Sequence, residues 1–172
     1  MIRSSAVFCN PPNPFRIVPG ISAGLGALAY AGIPLTHREI NHAVTFLTGH
    51  DSSGEMPEKI DWQAVAAGAP VIVMYMAMKH WPNIRRRLLQ AGRHRDEPVA
   101  FVADGTSAAQ RVLVTTLGQS DADLTRSGLE PPAIVVVGDV VKLRTGLDWL
   151  GALAGKVLNA NPLGADPERD AG

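Results

Sequence analysis

The chain alternates short apolar runs with longer stretches in which polar and apolar residues are mixed. Short runs rich in valine, isoleucine and alanine are typical of strands buried in a sheet. Between several of these runs, apolar residues recur every three or four positions, which predicts helices with one buried face. We therefore expect an α/β fold. The predicted strands are residues 43–47, 71–76, 99–102, 112–117 and 133–137.

For three of the predicted helices, individual residues indicate where the helix begins or ends. One helix is predicted to follow the cap residue Ser22, run to about Ala31 and end at Gly32. A second occupies residues 82–92, with proline near its start and glycine at its end; its apolar side consists of Ile84, Leu88 and Ala91. A third is predicted to begin at the cap residue Asp139; its apolar stripe consists of Leu143, Leu147, Leu150 and Ala154.

The stretch leading into the first helix has the chemistry of a backbone-level binding site. Residues 15–18 predict a short strand and Pro19-Gly20 predicts a turn, so amide groups at the helix start lack partners. Such donors and the helix dipole favour a bound carboxylate or phosphate. Gly20, Gly24 and Gly26 let a ligand approach closely, or simply let the helix pack tightly on a sheet. Both interpretations stay open from this stretch alone.

An NAD(P)-dependent short-chain oxidoreductase is a further alternative. The segment from Gly20 to Gly26 fits the G-x-x-x-G-x-G pattern of these dehydrogenases, and Tyr75 and Lys79 fit their Y-x-x-x-K pattern. A catalytic tyrosine and lysine four residues apart must share a helix face. Tyr75, however, ends a run that predicts a buried strand. This hypothesis therefore ranks third.

A series of ordered segments spans most of residues 17–150. The longest are VPGISA, YAGIPLTHR, VTFLTGH and PAIVVVGDVV. The full series is residues 18–23, 30–38, 44–50, 61–62, 75–76, 98–100, 105–106, 110–111, 116–117 and 132–141. In this order the segments resemble the tetrapyrrole methylases, and most of all the members that methylate uroporphyrinogen III. The resemblance implies the fold of that family.

Family members have a glycine-rich loop and a Gly-Asp segment ahead of the stretch VPGISA, and neither precedes it in this chain. We therefore expect it to correspond to a C-terminal portion. Residues 1–14 are predicted to be a lead-in unlike the family. Residues 15–35 are predicted to be the last strand and helix of a truncated first domain, together with the domain junction. Residues 36–158 then form the second α/β domain, and residues 159–172 a disordered tail.

The resemblance implies S-adenosylmethionine-dependent C-methylation of uroporphyrinogen III to precorrin-2, in cobalamin or siroheme synthesis. In the family the cofactor lies between two domains. The resemblance assigns cofactor contacts to Ser22 and Ala23 after the Pro-Gly turn, to Met76 at a strand end and to Gly105 in a loop. Without the family, Ser22 is a helix cap, Met76 a core residue and Gly105 a turn residue.

Substrate contacts and acid–base residues are less well defined. Arg38 is a candidate to pair with a substrate carboxylate, or else to make a structural hydrogen bond at the domain junction. Arg111 is a candidate of the same kind, or else points to solvent. The family's proposed acid and base lie in the part that is missing here, so no catalytic residue is assigned. The main alternative function is therefore an inactive remnant that dimerises or binds cofactor weakly.

Composition narrows the classes of partner. The 172 residues include 16 basic and 16 acidic side chains, and this neutrality argues against nucleic-acid binding. His37, His42 and His50 fit no zinc pattern, so we expect no metal. Cys9, the single cysteine, permits no internal disulfide, and no apolar run is long enough to cross a bilayer. We expect a cytoplasmic protein without nucleic-acid or membrane contacts and, by the resemblance, a homodimer.

Overall fold

The computed structural model describes residues 16–51, 53–57 and 59–164. Its described part is built on a five-stranded sheet with the strand order β1-β2-β5-β3-β4. β1 and β2 are parallel, whereas β5 runs antiparallel to β2 and β3, and β4 runs antiparallel to β3. The strands are β1 (Thr45–Thr48), β2 (Ile72–Tyr75), β3 (Pro98–Ala103), β4 (Arg111–Thr116) and β5 (Ala133–Val137). All five predicted strands are confirmed, with ends that differ by at most two residues.

Helices and 3-10 turns cover both faces of the sheet, which explains the apolar composition of the central strands. Every residue of β3 is buried, as is all of β5 except its first residue. The helices are α1 (Ala23–Tyr30), α2 (Trp62–Gly68), α3 (Trp81–Gln90), α4 (Ser120–Ser127), α5 (Arg144–Leu147) and α6 (Trp149–Leu153), and the 3-10 turns are Met78–His80 and Asp139–Leu143.

Alternate residues of each central strand face two separate clusters of buried side chains. In β2, Ile72 and Met74 join the cluster under α2 and α3, while Val73 joins the cluster under α1. β3 alternates in the same way, with Phe101 on the α3 side and Val102 on the α1 side. The fold is therefore a three-layer α/β/α arrangement, and α1 is a full member of one outer layer.

Two of the three predicted helices are confirmed. α1 begins after Ser22 and ends at Tyr30, one residue before the predicted end, and Gly32 then adopts a positive φ of 68°. α3 has Pro82 in its first turn, and its apolar side includes the buried Ile84 and Leu88, as the spacing predicts.

The prediction of one helix after Asp139 is wrong. The segment divides into the second 3-10 turn, α5 and α6, because Asp148 leaves the helical conformation and caps α6 through the amide of Gly151. The Asp139 side chain pairs with Lys142 at 2.7 Å instead of capping a helix. Of the predicted stripe, Leu143 is buried, whereas Leu147 is 46% exposed.

The ends of the chain are described only in part. Residues 16–18 form no strand, so the strand predicted at 15–18 is not formed in its described part. Residues 159–164 lie in no helix or strand, and residues 165–172 and the lead-in at 1–14 with Cys9 lie outside the described residues. The domain boundaries therefore stay predictions. In the described residues, no helix combines the length and the apolar character needed to cross a membrane.

A polar network fixes the C-terminal end of α1. Arg144 donates to the carbonyl of Ala31, the residue that directly follows α1. Asp148 is 4% exposed and binds Arg144 at 3.1 Å and Lys156 at 2.7 Å. Gly32 completes the junction, because a Cβ there would lie 2.9 Å from the amide nitrogen of Asp148. The segment after β5 therefore fixes the position of the C-terminal end of α1.

We expect the charge of Asp148 to stabilise the fold in a pH-dependent way. Burial alone would raise the pKa of the Asp148 carboxyl, but hydrogen bonds from Lys156 and Gly151 and the charge of Arg144 lower it overall. A carboxyl whose pKa is lowered on folding stabilises the protein above its unfolded pKa of about 4, and this is lost as the pH falls through the folded-state pKa.

The Asp148→Asn variant tests this, because the asparagine carbonyl still accepts a hydrogen bond from Gly151, whereas the charge and the oxygen that accepts from Lys156 are lost. At neutral pH its free energy of unfolding should be about 2 kcal/mol lower than that of the unaltered chain. Urea unfolding at several pH values should show the difference shrinking as the pH falls from the unfolded-state pKa of about 4 through the lower folded-state pKa. A difference that is independent of pH would contradict a contribution from the carboxylate.

Candidate functional site

A cleft of about 1080 Å³ lies at one end of the sheet. β2 and β3 both finish at this end, and because β5 is antiparallel to them, its beginning lies there too. The walls come from the start of α1, from the residues after β2 and β3, and from Pro131-Pro132 before β5. The connections that follow strands are the usual positions for binding residues in sheets covered by helices.

Three residues of the cleft have a backbone conformation that is rare for side chains other than glycine. Met76, Asp104 and Thr106 have φ values of 53°, 48° and 71°. Within the described residues, these are the non-glycine positions with positive φ, and all three line the cleft. Such a conformation costs about 1 kcal/mol or more per residue and concentrates at binding sites. The strain therefore marks the cleft as the candidate site.

Tyr75, the last residue of β2, joins the sheet to the start of α1. Its hydroxyl forms a hydrogen bond with the Ser22 hydroxyl and accepts one from the amide of Gly24 at 3.2 Å. A Cβ at position 24 would lie 2.9 Å from Cζ of Tyr75, so a larger residue there would displace the Tyr75 ring from α1. Ser22 occupies the N-cap position of α1, as predicted. Its hydroxyl, however, forms no hydrogen bond with the helix backbone.

Gly105 joins the loop after β3 to the middle of α1. A Cβ at this position would lie 2.9 Å from Cα of Ala27 and closer still to its Cβ. The glycine thus allows close packing between loop and helix, in addition to lining the cleft. Gly26 differs, because a Cβ there would make only ordinary contacts of 3.5 Å or more.

All four predicted cofactor residues line this one cleft. Ser22 and Ala23 lie on the α1 wall, Met76 follows β2 and Gly105 follows β3. Met76 is 52% exposed, which excludes the alternative of a core residue. The structure brings together positions that lie far apart in the sequence, and their contact with a cofactor stays a prediction.

The two predicted substrate arginines do not line the cleft. Arg111 donates to the carbonyls of Ser127 at 2.6 Å and Gly128 at 3.2 Å, at the end of α4. The carbonyls at a helix end lack partners within the helix, so this contact suits a structural role. Arg38 is exposed on the connection before β1. Their role in substrate binding stays a prediction without support from the cleft.

The tyrosine–lysine pair of the dehydrogenase hypothesis has the wrong geometry. Tyr75 lies in a strand, whereas Lys79 lies in a 3-10 turn and donates to the carbonyl of Gly54 at 3.0 Å. The two side chains do not share a helix face. In the described part of the chain, no three His, Cys, Asp or Glu side chains are grouped so that they could hold a metal ion.

Sequence reasoning did not assign several polar groups that shape the cleft. Asp104 and Thr106 flank Gly105 in the loop after β3, and Tyr30 lies at the far end of α1. Only the Gly-Thr match at 105–106 pointed to this loop. Tyr75 belongs both to the dehydrogenase pattern and to the family match at 75–76, but nothing local in the sequence shows that its hydroxyl meets the start of α1.

Comparison with known families agrees with the architecture and the cleft. The model of the tetrapyrrole (corrin/porphyrin) methylases matches residues 5–121. The chain belongs to this family.

Among individual proteins, the chain is similar to the uroporphyrinogen-III C-methyltransferase of a Sinorhizobium species. The two are 65% identical over 149 residues, which cover 87% of this chain and 53% of that protein. The siroheme synthase of Azotobacter vinelandii is 44% identical over 79% of this chain and 29% of its own length. The chain therefore spans about half or less of the length of these relatives.

Solved structures show the same fold. Uroporphyrin-III C-methyltransferase from Thermus thermophilus, complexed with S-adenosylhomocysteine, matches with a TM-score of 0.64 and 28% identity. The match covers 76% of this chain and 55% of that one. A cobalt precorrin-4 methyltransferase matches with a TM-score of 0.65, and its 20% identity supports the fold alone.

We expect the hydroxyls of Ser22 and Tyr75 to be energetically coupled. Ser22→Ala, Tyr75→Phe and the double variant form a thermodynamic cycle, and we expect a coupling of about 0.5–1 kcal/mol because one hydrogen bond joins the two groups. Urea unfolding measures the four free energies. Tyr30→Phe is the matched control, since that ring lies in the same cleft but packs edge-to-face on Trp149. Additive effects of Ser22→Ala and Tyr75→Phe would contradict the coupling.

Proposed function

We propose that this chain forms the S-adenosylmethionine site of an enzyme that methylates ring carbons of uroporphyrinogen III to give precorrin-2. The observation that carries the proposal is that Ser22, Ala23, Met76 and Gly105 line one cleft. The 65% identity to a uroporphyrinogen-III C-methyltransferase supports the substrate, and the similarity to a siroheme synthase supports a place in siroheme synthesis. Cobalamin synthesis is the other pathway that would use precorrin-2.

The residues of the cleft fit this cofactor. Met76 is exposed at the cleft and offers a soft, polarisable surface for adenine. The hydroxyl of Ser22 makes one hydrogen bond with Tyr75 and retains capacity for a second, to a polar group of a ligand. The N-terminus of α1 favours a carboxylate. S-adenosylmethionine, when bound, supplies a methyl group on a positively charged sulfur that an electron-rich pyrrole carbon can attack.

The role of this chain is to hold and orient the cofactor and to exclude water with its apolar walls. No residue is assigned as acid or base. We further propose a cytoplasmic homodimer, with a domain junction within residues 15–35 and the second methylase domain in residues 36–158. The alternative is an inactive chain that dimerises or binds the cofactor weakly, because no acid or base is assigned among its residues.

Calorimetric titration with S-adenosylhomocysteine tests the cofactor site without requiring turnover. We expect binding in the micromolar range by the 172-residue chain. Gly26→Leu should abolish it, because position 26 lines the cleft and has room for a side chain on the helix. Gly68→Leu is the matched control, since this exposed glycine also lies in a helix and outside the cleft.

The outcomes separate the two hypotheses. Binding that Gly26→Leu removes and Gly68→Leu preserves would support a working cofactor cleft. Absence of binding by the unaltered chain would contradict the proposal for this chain and favour the remnant. Equal binding by both variants would mean that the ligand binds outside the cleft.

A further inference from the structure

Gln110 links two walls of the cleft without lining it. It lies between β3 and β4, and its side-chain carbonyl accepts a hydrogen bond from the amide of Thr106 at 2.9 Å. Its side-chain amide donates to the carbonyl of Tyr30, the last residue of α1, at 3.3 Å. One partner is a donor and the other an acceptor, so only one orientation of the amide satisfies both.

The first partner lies in the strained part of the cleft. Thr106 is β-branched and has a φ of 71°, a conformation that such residues rarely adopt. The loop also has internal bonds, since Ser107 donates to the carbonyl of Asp104 through its amide at 3.1 Å and through its hydroxyl at 2.8 Å. These bonds close the turn but leave the Thr106 amide to Gln110. Gln110 therefore holds the amide of a β-branched residue that has a positive φ.

The second partner is at a helix end. The last carbonyls of a helix have no partners within it. The carbonyl of Ala29 accepts from Trp149 at 3.2 Å, that of Ala31 accepts from Arg144, and that of Tyr30 accepts from Gln110. Gln110 is thus the donor that binds the end of α1 on the side of the cleft. The other two donors, Trp149 and Arg144, belong to the C-terminal segment.

We propose that Gln110 is a positioning residue that sets the separation between α1 and the loop 104–107, and through it the affinity for the cofactor. Tyr30 and Thr106 both line the cleft, so a change in their separation changes its shape. Gly105 packs on Ala27 within the same contact, which makes the spacing sensitive to small shifts. This inference rests on the proposed cofactor-binding function.

Two substitutions at position 110 separate the two hydrogen bonds. Gln110→Glu retains an acceptor for Thr106 but, as a carboxylate, has no donor for Tyr30. Gln110→Met is similar in length and loses both bonds. Gln119→Met is the matched control, because Gln119 is exposed and lies outside the cleft.

The first measurement is the affinity for S-adenosylhomocysteine of the folded variants. We expect Gln110→Met to weaken binding about tenfold, Gln110→Glu to weaken it less, and Gln119→Met to leave it unchanged. Urea unfolding accompanies the titrations, since a residue with a purely structural role would lower the unfolding midpoint and leave the affinity of the folded protein unchanged. Equal affinity of Gln110→Met and the unaltered chain would overturn the inference while the proposed function stands.

The second measurement needs no ligand. Hydrogen exchange at the Thr106 amide should accelerate about tenfold in Gln110→Met and stay slow in Gln110→Glu, which keeps the acceptor. Absence of binding by the unaltered chain would overturn the proposed function. Hydrogen exchange at Thr106 would then be the measurement that tests whether Gln110 positions the loop. Equal exchange in the unaltered chain and Gln110→Met would overturn that role.

Discussion

The contact between α1 and the ends of β2 and β3 determines whether the cleft exists. α1 forms one wall and the residues after the two strands form the other, so the cleft has the shape that this contact imposes. Buried Leu28 and Ala27 seat the helix on the sheet. Tyr75 meets it near its start and Gly105 near its middle, while Arg144 holds the residue that follows it.

Small residues on one side of α1 make this contact possible. Gly24, Ala27 and Ala31 recur at helical spacing, and at Gly24 and Ala27 a neighbouring element approaches the helix backbone. Close-packed contacts of this kind do not adapt to added volume. Met76 and Thr106, which have left-handed conformations, lie on the wall that faces this helix, and such conformations persist where the surrounding structure imposes them. Binding geometry and stability therefore depend on the same contact.

Much of the fold follows from local pattern. Apolar runs predicted all five strands, and the central strands β2, β3 and β5 are apolar throughout because both of their faces are buried. Spacing and end residues predicted α1 and α3. The prediction of one helix after Asp139 was wrong. A periodic apolar stripe does not reveal that the chain turns at Asp148, whose carboxylate binds Arg144 and Lys156. The resemblance to the methylases named the four cofactor candidates that the structure places in one cleft.

By itself, the sequence determined the α/β class, the strands and the small-residue character of α1, because these depend on residues close together in the chain. Only the tertiary structure showed that Gly105 meets Ala27, that Tyr75 meets Gly24 and that Gln110 spans from Thr106 to the end of α1. These partners are far apart in the chain, and a residue type does not specify which distant backbone it will face. Antiparallel pairing of β5 brings the separate walls to one end of the sheet, and that order of strands is a property of the whole fold.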